Sequence, residues 1–192
     1  MYRKRNKELE IMSLYTINYK AQFYLRQISK IADLPLKTCQ NILAGLEKEK
    51  ILKSRIDGKN KYFSLNFENI QTKSFLLQAE IYKSDKFTKN YQQFGTFLKS
   101  NHSTAALIVF GSFAKLKADK NSDLDLLVIS GEKQNIPFHL IPYKIHQINL
   151  SEESFKKTLL EKEALIKEIE ENHIILNNHS FYLNIMWEHY ER

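Results

Sequence analysis

The chain has 192 residues, 43% of them hydrophobic and 12% aromatic, with 29 Lys or Arg against 22 Asp or Glu and a net charge of +7. That is apolar material for two small cores, and the positive balance favours polyanionic partners. One cysteine, Cys39, excludes a disulfide framework or a cysteine zinc site, and no apolar stretch is long enough to span a membrane.

The basic start, Met1-Tyr2-Arg3-Lys4-Arg5, lacks the apolar run of a secretory signal, so a cytoplasmic protein is expected. Leu9, Ile11, Leu14 and Tyr15 recur at three- and four-residue spacing and predict a first helix over Lys7 to Ile17. Leu25, Ile28, Ile31 and Ala32 predict a second, ending near Asp33-Leu34-Pro35. A third runs from Leu36 to Lys50, with Cys39, Leu43 and Leu46 inward at i, i+4 and i+7. Its other face carries Lys37, Thr38, Gln40, Asn41 and Ala44, the side-chain types that reach phosphates and base edges. Two alternating runs, Ile51–Ile56 and Lys61–Leu65, flank Asp57-Gly58, a strong short-range hairpin signal. Helix-turn-helix followed by a basic hairpin resembles a winged-helix DNA-binding domain. The resemblance implies contact with double-stranded DNA through Lys37, Thr38, Gln40 and Asn41 on the third helix, and through Arg55, Lys59 and Lys61 on the hairpin. A homodimer would suit a two-fold DNA site.

From Ile70 to Ser100 the apolar positions predict one or two connecting helices. An apolar run, Ala105–Phe110, then enters the turn Gly111-Ser112. Ten residues later Asp123-Leu124-Asp125 opens a second apolar run. Alternate side chains of a strand share a face, so Asp123 and Asp125 point the same way and would repel unless a cation lies between them. Two carboxylates suit Mg²⁺, and a Gly-Ser turn suits phosphate. This pattern resembles the nucleotidyltransferase superfamily related to DNA polymerase beta, and in particular its minimal members, over about Ala105 to Phe181. The resemblance implies a Mg²⁺ ion and a nucleoside triphosphate as cofactors. Gly111 and Ser112 would hold the nucleotide, and Asp123 and Asp125 would be metal-binding and catalytic. Members that work use a third carboxylate on a neighbouring strand. The candidate strand is Lys144–Leu150, where His146 stands at the expected place, with Gln147 and Asn149 as offset choices, and none is an acid. His146 could act as a general base instead.

Glu152–Glu171 reads as a helix and Asn172–Asn178 as a short strand and turn. The expected fold is therefore α+β: a winged helix-turn-helix over 1–68, a helical connector over 69–101, and a mixed sheet flanked by helices over 102–192. The expected function is a DNA-binding transcriptional regulator whose second domain binds Mg-NTP or a partner protein. The alternative is an active enzyme transferring NMP from Mg-NTP to a protein or RNA hydroxyl, as the antitoxin of a toxin–antitoxin pair.

Overall fold

The computed structural model describes residues 5–119 and 121–191, so the start Met1-Tyr2-Arg3-Lys4, Lys120 and Arg192 lie outside it. The fold is mixed α+β, and the chain divides into two compact units, residues 1–79 with 190–192 and residues 80–189.

In the first unit, α1 (Lys7–Met12) is capped by Asn6, whose side chain accepts from the amides of Glu8 and Leu9. The helix stops short of the expected Ile17. The hydroxyl of Ser13 donates to the Glu10 carbonyl and that of Thr16 to the Ser13 carbonyl, local bonds that compete with continued helix. Then come β1 (Phe23–Tyr24), α2 (Leu25–Ile31) and α3 (Leu36–Lys48), the last entered through Pro35. Cys39, Leu43 and Leu46 are buried as the spacing predicts. Strands β2 (Leu52–Asp57) and β3 (Asn60–Leu65) pair antiparallel through a two-residue loop, with Gly58 at φ +57° as such a turn requires. The sheet order is β1-β3-β2, and the Tyr15 hydroxyl ties the layer together by donating to the Phe63 carbonyl at 3.1 Å.

The connecting segment forms α4 (Ile70–Asn90) and α5 (Phe94–Ser100). Next are β4 (Ala106–Phe110), the short α6 (Gly111–Ala114), β5 (Leu124–Ile129) and β6 (Ile145–Leu150). The expected helix over 152–171 is split into α7 (Glu152–Glu161) and α8 (Ala164–Glu171), because Lys162 takes a left-handed conformation at φ +51°. Strand β7 (Ile174–Asn177) and α9 (His179–Glu191) complete the fold. The sheet order is β6-β5-β4-β7, with β5 and β6 parallel and the other pairs antiparallel. One face of the sheet, Leu107, Val109, Leu124, Leu126 and Val128, packs on Phe87, Phe94, Phe97 and Phe113.

A polar knot is buried in this unit. On α4, Glu80 is fully enclosed, with its Oε1 2.8 Å from His173 Nε2 and its Oε2 3.0 Å from Lys83 Nζ. His173 Nδ1 donates to the Ile169 carbonyl at 2.8 Å. Burial would raise the Glu80 pKa, but His173 and then Lys83 outweigh it and hold the group near 2.

Candidate functional site

The apolar sequence of β4 buries the whole strand and delivers the chain to Gly111 at its end. Gly111 has φ +67°, where a side chain is strained, and a Cβ there would come within 2.3 Å of Asp125 Oδ2. The Gly-Ser turn and the second aspartate are thus in direct apposition, although fourteen positions separate them (125 minus 111). Phe113 anchors the turn from below. Its ring meets Tyr143 at 4.6 Å between centroids and Tyr91 at 5.2 Å, so the residue before Lys144 is fixed by the same aromatic cluster. Ser112, next to Gly111, is partly exposed, and its carbonyl accepts from the Lys117 amide at 3.0 Å. The approach to Asp123 is shaped by Asp119, whose carboxylate accepts from the Asn121 amide and the Ser122 hydroxyl.

Register then decides what the aspartates face. The parallel ladder sets Asp125 opposite His146 and Leu124 opposite Ile145. The His146 Nδ1 lies 3.1 Å from Asp125 Oδ1, and Lys144 Nζ lies 2.7 Å from Asp123 Oδ2. Lys144 and His146 are two residues apart and share a face, as do their partners. The hydrogen bond from Lys144 to Asp123, with the charge attraction behind it, raises the lysine pKa. Sequence reasoning singled out His146 and missed Lys144. The alternation of two basic residues opposite two alternating acids gains its meaning only once the strand register is known. Gln147 and Asn149 face the other side of β6, where the Gln147 amide donates to Asn149 at 2.6 Å.

Asp123 and Asp125 supply the two carboxylates expected for Mg²⁺, but both are occupied by basic side chains of the protein itself. That ion prefers oxygen ligands in a near-octahedral set. The third position is an imidazole, a ligand that suits softer ions. Among the described residues no group of three or more His, Cys, Asp or Glu side chains is gathered to hold a metal.

In the first unit, Lys37, Gln40, Asn41, Ala44 and Lys48 are exposed along the outward face of α3, and Thr38 is partly covered. A groove of about 850 Å³ between α3 and the hairpin is lined by Arg26, Gln40, Ala44, Glu47, Lys59 and Lys61. It collects Gln40, Lys59 and Lys61 of the expected contacts, while Lys37, Thr38, Asn41 and Arg55 lie outside its lining. Arg26, on the first turn of α2, was not foreseen; a lone arginine on a short helix gives no pattern to read. Two of the hairpin cations have acidic partners. Lys61 Nζ lies 2.7 Å from Glu47 Oε2, and Arg55 lies 3.7 Å from Asp57. The Lys61 hydrogen bond and then that of Ser54 lower the Glu47 pKa. No helix among the described residues is long and apolar enough to cross a membrane.

Comparison with curated proteins and with solved structures returned no match for the chain. Residues 92–180, which contain the Gly-Ser turn, both aspartates and β6, match the family model of the nucleotidyltransferase domain, and the second unit therefore carries a nucleotidyltransferase domain.

Proposed function

We propose that the chain is a DNA-binding transcriptional regulator whose nucleotidyltransferase domain binds a nucleoside triphosphate or a partner protein. The observation that carries the DNA reading is the polar outward face of α3 beside a basic hairpin, with Arg26, Gln40, Lys59 and Lys61 lining one groove. The helix order and the β1-β3-β2 sheet support a winged-helix arrangement, in which α3 enters the major groove and the hairpin reaches the backbone. Asn41 and Gln40 are of the type that pairs with adenine, and Lys37, Arg26 and Lys59 of the type that meets phosphate. Because Lys61 and Arg55 have acidic neighbours, Lys59 and Arg26 are the better phosphate contacts. In the second unit, Gly111 lets the backbone approach a phosphate closely and Ser112 adds a hydroxyl.

The test is fluorescence anisotropy on duplex DNA across a salt series. Replacing Arg26 and Lys59 with Ala should weaken binding to every sequence and flatten the log–log salt slope by about 1 to 2. Replacing Gln40 and Asn41 with Ala should instead level the preference between sequences. Unchanged affinity and slope in the Arg26/Lys59 variant would sink the DNA reading.

A second reading, transfer of a nucleoside monophosphate to a protein or RNA hydroxyl, is favoured by one contact. Asp125 beside His146 orients an imidazole that could take the proton of an attacking hydroxyl. Incubation with α-³²P-labelled ATP and a candidate acceptor protein or RNA would move the labelled AMP to the acceptor hydroxyl with release of pyrophosphate, and His146→Ala would abolish the transfer.

A further inference from the structure

We infer that the acid pair of the nucleotidyltransferase domain is matched by the protein's own basic side chains, so that a nucleoside polyphosphate is received there without a divalent cation. The inference rests on the reading of the second unit as a nucleotide binder and goes further, to what balances charge in the site.

Three observations converge on it. Lys144 lies 2.7 Å from Asp123 and His146 lies 3.1 Å from Asp125, so both carboxylates are engaged by the neighbouring strand. The backbone register, Asp125 with His146 and Leu124 with Ile145, brings the two basic residues alongside the two acids. The aromatic packing of Tyr143 against Phe113 and Phe94 then sets the position from which Lys144 projects.

A divalent ion held by Asp123 and Asp125 would sit close to the Lys144 ammonium. At about 4 Å in water-like surroundings, a unit positive charge opposes a divalent one by roughly thirtyfold in binding constant. Lys144 is 81% exposed and can swing aside, but taking up the ion then costs its bond to Asp123 and leaves an imidazole, a poor ligand for a hard ion, against Asp125. For a polyphosphate the sign reverses. The Lys144 ammonium attracts it, and exposed Lys115 and Lys117 on the segment after α6 add to that field. The same side chain thus repels the metal and draws the anion.

Two titrations test this on the whole chain. Mn²⁺ is titrated alone and followed by electron paramagnetic resonance, and ATP is titrated calorimetrically in EDTA and in Mg²⁺. The wild type should leave Mn²⁺ free into the millimolar range and bind ATP within about twofold in the two buffers. The pair Lys144→Ala with His146→Asp should gain Mn²⁺ affinity by about thirtyfold or more, while Lys144→Ala alone should weaken ATP binding in EDTA by about tenfold. Circular dichroism checks that each variant is folded. Micromolar Mn²⁺ binding by the wild type that Asp125→Asn removes, or ATP binding that needs Mg²⁺, would overturn the inference. Failure of ATP to bind in either buffer would overturn the nucleotide reading, and the Mn²⁺ titration would still decide whether the carboxylates take a metal.

Discussion

Gly111 carries two constraints at once, a left-handed backbone and an Asp125 carboxylate standing where a β-carbon would have to go. Alanine there would meet both. The backbone alone costs about 1–2 kcal/mol. The overlap at 2.3 Å forces Asp125 or the turn to move. We expect Gly111→Ala to lower stability in urea unfolding by at least that amount and to loosen nucleotide binding along with it. A variant as stable as the wild type would show that the turn relaxes freely. The glycine, the serine and the two aspartates were legible in the sequence because they stand at fixed spacing between apolar runs. Lys144 was not, since its meaning comes from Asp123 across a strand pair whose register no linear spacing reveals. Arg26 was hidden for a similar reason: its place in the groove follows from the hairpin folding back toward α2.

At the scale of elements, α4 and the chain around β7 are joined by the knot of Glu80, Lys83 and His173, with the Ser84 hydroxyl 2.9 Å from His179 Nε2. Glu80 is depressed to about 2 in the folded protein against an ordinary 4.5. A group depressed on folding contributes stability above its unfolded value, and that contribution fades as pH falls from 4.5 toward 2. Thermal melts should therefore show the wild type losing stability through that window, with a smaller acid loss in Glu80→Gln. At neutral pH the same variant should be less stable by about 3–5 kcal/mol, because it removes the buried carboxylate that faces both Lys83 and His173. Equal acid slopes in the two proteins would remove Glu80 from the account. Element types were readable from periodicity, whereas several boundaries were not. The hydroxyls of Ser13 and Thr16 ended α1 early, and Lys162 divided what read as one helix.

For the whole molecule, the two compact units carry chemically different surfaces, a basic groove in one and a balanced acid–base site in the other. A substitution confined to the second site should leave duplex binding alone. We expect Asp125→Asn to keep the DNA isotherm within about twofold of the wild type at each salt concentration. A larger change in the absence of nucleotide would mean that the site influences the DNA surface even when empty. The pairing of β5 with β6 has one more consequence, in the gene. Histidine and aspartate codons differ only in their first base, so a single nucleotide change at position 146 would set a third carboxylate directly across from Asp125. The scaffold that presents an imidazole there is one point mutation from presenting an acid, and the step runs equally well in reverse.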